Sequence, residues 1–279
     1  MDMTQVWGYP INNTLLTKDE IEYLNNLPDK LPAVEWVWQE MDRIWRAQKL
    51  DYNCPLSQQS ISDYYAHPVW LMNGIFTVLD PVSTSHRKAI ATYLNNNRIK
   101  SIADYGGGFG ALAQAIVKII PDASISIIEP YPSKIGLEQI INFPKIEFVS
   151  HLISENYEAV IAQDVLEHIE DPILLAFQMA NATRMGGKVI FANCFYPVIQ
   201  CHLPSTFHLR DTFPWVMKAL GLRYIGTVEG AVHAQIYEKT NELNLSKARS
   251  AETISRLISP IINVRRKAKQ LIKRVAGKH

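Results

Sequence analysis

The stretch that decides the fold is Ser101-Ile-Ala-Asp-Tyr-Gly-Gly-Gly-Phe-Gly-Ala-Leu-Ala-Gln-Ala-Ile-Val117. Its apolar start, residues 101–104, predicts a short strand, and residues 111–120 predict an apolar helix. The glycines between them allow a positive φ and bring the backbone close to a ligand. The new helix directs free N–H groups towards that ligand. The stretch therefore predicts a nucleotide-like ligand above the first strand of a parallel sheet.

Two later segments add acids at the same edge of the predicted sheet. A second strand, at residues 124–130, ends in Glu129, which lies 19 residues after Gly110. An acid at this place can accept hydrogen bonds from both hydroxyls of a ribose. Residues 157–172 predict a buried strand that breaks into a helix, with Asp164 and His168 four residues apart on one helix face. Ligands of such sheets bind at this carboxyl edge.

These motifs together resemble class I S-adenosylmethionine-dependent methyltransferases. Residues 104–110, Asp-Tyr-Gly-Gly-Gly-Phe-Gly, match the first motif of that family, Asp-x-Gly-x-Gly-x-Gly. Residues 163–172, Gln-Asp-Val-Leu-Glu-His-Ile-Glu-Asp-Pro, are similar to the motif after its fourth strand. The Asp-Val-Leu-Glu-His part is typical of ubiquinone-type and sugar O-methyltransferases. The resemblance covers roughly residues 87–239 and implies S-adenosylmethionine as the cofactor.

The resemblance also implies which residues bind the cofactor. In ubiquinone-type methyltransferases an arginine upstream of the motif aspartate contacts the cofactor's carboxylate. Arg87 lies 17 residues before Asp104 and is the candidate here, although a solvated cation in the first turn of a helix opened by Arg87 and Lys88 is the alternative. The implied cofactor-binding set is Arg87, Asp104, Gly106, Gly108, Gly110, Glu129, Gln163 and Asp164.

Strands alternate with helices, which predicts an α/β fold with a doubly wound parallel sheet. Further strands are expected at 146–149, 159–162 and 188–192, the last after a turn at Gly186-Gly187. Strands at 222–228 and 232–238 form, in the resembled family, a closing pair that makes one edge of a seven-stranded Rossmann-like sheet antiparallel. We expect an N-terminal helical extension or lid at 1–85, a methyltransferase core at 86–240 and a basic tail at 241–279.

The N-terminal extension is rich in aromatic residues. Thr17 and Glu20 form a predicted capping box, and Pro32 is expected to open a second helix that carries three tryptophans. This aromatic helix either packs on the core or forms a lid or wall for the methyl acceptor.

Three histidines are candidates for chemistry. Transfer of a methyl group to a hydroxyl or amine needs a base, and His168 is the first candidate; a structural role for Glu167 and His168 is the alternative. His202 and His208 follow the fifth strand and could provide a base or, with a carboxylate, two metal ligands. Because the sequence identifies no third ligand, we predict no metal, and both histidines could equally be satisfied within their loop.

Charge is distributed unevenly along the chain. The net charge of +1 implies no bulk attraction to nucleic acid. Residues 246–279, however, contain ten Lys or Arg and one acid, a balance of +9, which leaves −8 for the rest. Apolar residues at helical spacing, interrupted by Pro260, predict either a basic amphipathic helix on an anionic membrane or a partner protein, or a solvated end. Without a signal peptide or membrane span, we expect a cytoplasmic protein, with peripheral binding at the inner face of a membrane left open.

The leading hypothesis is an S-adenosylmethionine-dependent methyltransferase that O-methylates a small-molecule, saccharide or lipid-linked acceptor. An NAD(P)-dependent Rossmann oxidoreductase is one rival, because Gly106, Gly108 and Ala111 fit the dinucleotide fingerprint with alanine as its third small residue. The dehydrogenase fingerprint does not explain Asp104 two residues before the first glycine, nor the segment 164–168. A non-catalytic methyltransferase-like partner protein is the other rival; the intact glycines and Glu129 argue against it.

Overall fold

The N-terminal part of the chain folds into a β-hairpin and five helices. The computed structural model describes residues 2–52, 57–130 and 132–276, with side chains as far as Arg266. The elements are strands β1 (Met3–Val6) and β2 (Tyr9–Asn12), followed by helices α1 (Lys18–Asn25), α2 (Val34–Ala47), α3 (Gln58–Tyr65), α4 (Pro68–Leu79) and α5 (Pro81–Asn96).

The central sheet has seven strands in the order β5-β4-β3-β6-β7-β9-β8. Its strands are β3 (Ser101–Tyr105), β4 (Ser124–Ile128), β5 (Ile146–Val149), β6 (Tyr157–Gln163), β7 (Thr183–Ala192), β8 (Leu222–Val228) and β9 (Ala231–Lys239). The first five are parallel, and β9 lies antiparallel between β7 and β8. The predicted α/β sheet with an antiparallel edge is confirmed.

Helices cover both faces of this sheet, which is why apolar side chains of its central strands are buried on both sides. The remaining helices are α6 (Ala111–Ile119), α7 (Lys134–Ile140), α8 (Pro172–Ala182), α9 (Phe213–Leu220) and α10 (Leu245–Ala276). Along β6, Ala159 and Ile161 pack in the cluster that contains α5 and α6. Val160 and Ala162 pack in the cluster with α8, α9 and the start of α10.

The N-terminal helices pack over the carboxyl edge of the sheet. Buried side chains of α2 and α4 form an apolar cluster with Ile199 and Cys201, which belong to the loop after β7. Trp45 is buried in this cluster, whereas Trp36 and Trp38 are partly buried at its border. The capping box of α1 is confirmed: the Glu20 N–H donates to Thr17 Oγ1 at 3.2 Å and the Thr17 N–H to Glu20 Oε2 at 2.7 Å.

Several predicted boundaries were wrong. Helix α5 begins at Pro81, not at Arg87, because Asp80 caps it by accepting the Ser83 N–H at 2.7 Å. Helix α2 begins at Val34, two residues after Pro32. Strand β7 begins at Thr183 and passes through Gly186-Gly187, since its pairing with β6 skips from Thr183 to Lys188 and leaves a bulge in place of the predicted turn.

Pro260 does not interrupt the C-terminal helix, contrary to the sequence prediction. Helix α10 runs through it as one element of 32 residues. Its first half packs on α8 and α9, where Ala248, Ala251 and Ser255 are buried. Beyond Ser255, the side chains of Leu257, Ile261 and Val264 are exposed.

We predict that the two halves of α10 contribute very differently to stability. A chain that ends at Leu245 loses the buried face and exposes apolar side chains of α9, which should lower the free energy of unfolding by roughly 3–5 kcal/mol and the Tm by about 10 °C. A chain that ends at Ser259 should unfold within about 2 °C of the full chain. Thermal unfolding of the three chains measures this; equal losses in both truncated chains would contradict the packing.

Candidate functional site

The glycine turn between β3 and α6 forms the floor of a cavity. Gly108 has a φ of +54°, and a Cβ at this position would meet nothing within 4 Å, so the space above it is open. At Gly107, by contrast, a Cβ would lie 2.5 Å from Asp104 Oδ2. The backbone therefore wraps closely around the Asp104 carboxyl while leaving a clear approach to the turn from the cavity.

The cavity has a volume of about 340 Å³ and lies between β3 and β6, where the order of the strands in the sheet reverses. Such crossover points are where doubly wound sheets bind ligands. Six of the eight predicted cofactor residues line it: Arg87, Asp104, Gly106, Gly108, Gln163 and Asp164. The other two, Gly110 and Glu129, are not among the described residues that line it. Gly110 is the N-cap of α6, and Glu129 follows the end of β4.

Two carboxyl groups stand at the ends of the adjacent strands β3 and β4. Asp104 is only 2% exposed, and its Oδ2 has no hydrogen-bond partner among the described residues. Burial, followed by the nearby charge of Glu129, raises the pKa of Asp104 to about 7. Burial also raises the pKa of Glu129. A ligand that brings hydroxyl or ammonium donors would satisfy the Asp104 oxygen that lacks a partner among the described residues.

Arg87 supplies a positive charge to the cavity wall. Its Nη1 donates to the Thr77 carbonyl at 2.7 Å and its Nη2 to the Val78 carbonyl at 3.2 Å, near the end of α4. These bonds fix the guanidinium at the cavity, where the predicted role was contact with a carboxylate. The alternative of a first-turn cation does not apply, because Arg87 lies in the second turn of α5 and is only partly exposed.

Asp164 lies at the end of β6, not on a helix as predicted. It takes a left-handed φ of +52°, which aspartate tolerates better than most residues, and its N–H donates to the Ala192 carbonyl at 2.8 Å. A short 3₁₀ turn, Leu166–His168, follows. Asp164 keeps solvent access through the cavity, and the low-dielectric protein around it raises the pKa of its carboxyl above the usual range.

His168 and His202 meet beside this cavity. Their ring centroids are 4.8 Å apart, and the ring of His168 also lies 6.0 Å from that of Trp70, a cavity residue. Burial, then the neighbouring His202, lowers the pKa of His168 to about 4. One potential ligand atom each of Glu167, His168 and His202 lies within 4.8 Å of the other two, so this trio could hold a metal ion.

His208 lies elsewhere. Its Nδ1 is 2.7 Å from Ser255 Oγ of α10, and Thr212 bonds to the same hydroxyl. Its Nε2 lies 3.9 Å from Glu252. The structure therefore separates the predicted pair His202 and His208 and joins His202 to His168.

Sequence reasoning missed several residues of the cavity wall. Trp70, Asn73 and Thr77 come from α4, which the sequence signals only as an aromatic region. His86 and His233 also line the wall, with ring centroids 4.4 Å apart. His86 adjoins Arg87, so the placement of Arg87 could have indicated it. No sequence signal pointed to His233, which comes from β9.

The strand order, the glycine turn and the acids after β3 and β4 define a class: the chain has the fold of the class I S-adenosylmethionine-dependent methyltransferases. The donor-poor acids, the fixed guanidinium and the open floor at Gly108 fit that cofactor. More particularly, residues 77–212 match the family model described as an O-methyltransferase domain. This match decides against the dehydrogenase alternative.

Both curated relatives, compared by sequence, and solved structures, compared by fold, resemble the chain. It is 23% identical over 164 residues to the ubiquinone biosynthesis O-methyltransferase of Erwinia tasmaniensis, covering 56% of this chain and 62% of the relative. It is 25% identical over 150 residues to the protein of that name from Hydrogenovibrio crunogenus, covering 50% and 61%. The chain thus spans about three fifths of these curated relatives. Human N-acetylserotonin methyltransferase in complex with S-adenosylmethionine shares the fold, with a TM-score of 0.50, 14% identity and coverage of 80% and 70%.

Within the described ranges, no helix is both long and apolar enough to span a membrane.

We predict that ionisation of the Asp104 carboxyl lowers the free energy of unfolding as the pH rises. Because folding raises the pKa of this carboxyl from 3.8 to about 7, the folded protein should lose stability as the pH rises from 4 to 7 and no further above that range. Asp104→Asn removes this titration. The variant should therefore gain stability relative to the parent, by roughly 4 kcal/mol between pH 4 and pH 8. Urea unfolding of both cofactor-free proteins measures the difference; curves that stay parallel would contradict it.

Proposed function

We propose that the protein transfers the methyl group of S-adenosylmethionine to a hydroxyl oxygen of a small acceptor. The observation that carries this proposal is the open floor at Gly108 beside the buried Asp104 carboxyl, whose Oδ2 has no partner among the described residues. A neutral or cationic ligand rich in donors would complete that arrangement. The O-methyltransferase domain match supports oxygen as the methylated atom.

The proposed cofactor contacts follow from charge. Glu129 accepts hydrogen bonds from the ribose hydroxyls, and Asp104 lies beside it on the same side of the cavity. Arg87, whose guanidinium is fixed by two carbonyls, attracts the amino-acid carboxylate. Gln163 and Asp164 line the side nearest the acceptor. The backbone at Gly106 and Gly108 approaches the ligand directly, and Gly110 contributes by starting α6.

The bound cofactor supplies an activated methyl group. The carbon–sulfur bond breaks as the carbon–oxygen bond forms, and the acceptor hydroxyl gives up its proton. The protein's share is to align the acceptor and exclude water. Trp70 and His168 stand where the acceptor would enter, under the N-terminal helices. We propose that residues 1–85 serve as the wall of the acceptor site, ahead of the core at 86–240.

The distance of each candidate side chain from the cavity decides which residue we propose as the proton acceptor. His168 and His202 lie beside the cavity and stay candidates for acid–base chemistry, whereas His208 is enclosed under α10 and has a packing role in this proposal. Asp164 itself lines the cavity and retains solvent access, so we propose that it accepts the proton, directly or through water.

We predict that Gly108→Asn abolishes binding of S-adenosylhomocysteine. Asparagine tolerates the left-handed backbone but fills the open space above the turn. Gly186→Asn is the matched control, because Gly186 has a φ of +79° with open space around it and lies away from the cavity.

Glu129→Ala should weaken binding by about 1.5–3 kcal/mol. Calorimetry measures all three; unchanged affinity in Gly108→Asn and Glu129→Ala, with the fold intact, would end the proposal.

For the acceptor and location we propose a saccharide or lipid-linked molecule handled near a membrane surface inside the cell. Helix α10 supports this, since Ile254, Leu257, Ile261 and Val264 form an exposed apolar stripe at helical spacing along it. The chain after Arg265 is strongly basic in sequence. Such a helix would gain from burial among headgroups and from attraction to anionic lipid, about 1 kcal/mol per basic residue near the surface.

We predict that the full chain co-sediments with anionic vesicles at low salt and is released at high salt, because salt screens the attraction. A chain ending at Ser259 should stay in the supernatant. Ile261→Ser with Val264→Ser keeps every charge and should weaken binding at all salt concentrations. Equal sedimentation of the full and shortened chains would exclude the membrane and leave a protein partner for α10.

A further inference from the structure

A second cavity lies beside the one that holds the glycine turn. It occupies the groove between α5 and α6, with further walls from β2, α4 and α7, and we call it the α5–α6 cavity. Its volume of about 360 Å³ lies in the range of about 300–1,000 Å³ that is typical of small-molecule sites. We propose that it is a second ligand site, which binds an anion carried on an apolar body, and that this ligand opposes cofactor binding through Arg87.

One face of α6 supplies the apolar wall of the α5–α6 cavity. Ala111, Ala115 and Ile119 are spaced four residues apart, so they lie on one face of the helix, and all three line the cavity. They are only partly buried, whereas another face of α6 is packed in the core of the sheet. An apolar ligand group on this wall would remove its surface from water, which favours binding.

The ring of Phe109 separates the two cavities. Phe109 lines both of them, and it packs so closely on Gly74 of α4 that a Cβ at that glycine would lie 2.8 Å from Phe109 Cζ. The acceptor end of the first cavity is marked by Trp70, Gln163 and Asp164, and none of these is among the described residues that line the α5–α6 cavity. The second cavity is therefore a separate space, away from the point of methyl transfer.

Positive charge surrounds the apolar wall. Lys88 of α5 and Lys118 of α6 line the cavity, as does Arg87. Neither lysine forms an ion pair with a described residue, and no described Asp or Glu lines the cavity. This grouping runs against the net charge of −8 on residues 1–245. An anionic group between the two lysines would be attracted by all three cations.

Tyr9 adds a hydrogen-bond donor to the cavity wall. Its side chain is 9% exposed, and its buried hydroxyl has no hydrogen-bond partner among the described residues. Burial, followed by the nearby charge of Glu138, raises the pKa of this phenol to about 12, so the hydroxyl keeps its proton. A ligand oxygen that reaches it would satisfy a donor that is otherwise costly to bury. Glu138 itself does not line the cavity.

Arg87 connects the α5–α6 cavity to the cofactor. It lines both cavities, and its guanidinium is fixed by the carbonyls of Thr77 and Val78. An anion in the α5–α6 cavity and the cofactor's carboxylate would be like charges that share this one cation, so each weakens the binding of the other. The coupling must be equal in both directions. It rests on the proposed function, because it needs a carboxylate at Arg87, whereas the second site itself does not.

The test of the site is calorimetry on the full, cofactor-free chain with three probes: 2-naphthyl phosphate, decyl phosphate below its micellar concentration, and inorganic phosphate. One equivalent of an organic phosphate should bind at least about tenfold more tightly than inorganic phosphate, because only it covers the apolar wall. Preference for the naphthyl probe indicates an aromatic ligand, and preference for the decyl probe a lipid-like chain. Organic phosphates that bind no more tightly than inorganic phosphate would overturn the site.

Variants locate the bound probe. Lys118→Glu reverses one charge and should weaken the preferred probe by about tenfold or more, whereas Lys118→Arg should stay within about threefold of the parent. Ala115→Phe fills the cavity without a change of charge and should also weaken binding. Lys218→Glu is the matched control, because Lys118 and Lys218 are both exposed lysines in the last turn of a helix. Equal affinity in the parent, Lys118→Glu and Ala115→Phe would overturn the site.

Titrations with S-adenosylhomocysteine separate this inference from the proposed function. Every variant should bind it within about threefold of the parent, which also shows that each is folded. Saturating S-adenosylhomocysteine should weaken the probe by a limited factor of about five to ten, with the same factor in the reverse titration. Complete displacement would put the probe in the cofactor's own cavity and overturn the second site. An unchanged probe affinity would overturn the coupling. Failure of the parent to bind S-adenosylhomocysteine, with probe binding intact, would overturn the proposed function instead.

Discussion

Strand β3 pairs in parallel with β4 on one side and β6 on the other, and the site depends on this constraint. Parallel pairing brings the carboxyl ends of all three strands to one edge, and the reversal of strand order there opens a crevice that side chains do not fill. Asp104, Glu129 and Asp164 stand at those three ends. Their negative charges are close together because the backbone hydrogen bonds of the sheet hold them there, at a cost shown by their raised pKa values.

The second layer of the site comes from segments that belong to no regular part of the sheet. The loop after β7 passes under α2 and α4, and its residues Ile199 and Cys201 are part of their apolar cluster. Arg87 is likewise held by carbonyls near the end of α4. The N-terminal helices therefore position groups on both sides of the cavity, which explains why aromatic residues far from the glycine turn in sequence contribute to its surroundings.

The glycine turn, the strand pattern and six residues of the cavity wall could be predicted because each depends on a local pattern or on the order of strands. The start of α5 could not be predicted from Arg87, because Asp80 caps the helix seven residues earlier and Arg87 therefore lies in its second turn. The meeting of His202 with His168 depends on the path of an irregular loop, which no periodicity encodes. Asp164 does not begin a helix as predicted, because its N–H still bonds to the neighbouring strand and its backbone is left-handed.

The insertion of β9 between β7 and β8 has a consequence for the order in which the chain can assemble. Strand β7, with ten residues, must leave its outer edge without a partner until residues 231–239 have been synthesised. Strand β8 is made earlier than β9 but has no neighbour in the sheet except β9. A nascent chain that stops anywhere between these points presents a long open edge to other chains. Completion of the sheet, and protection from aggregation, therefore waits for one of the last strands to leave the ribosome.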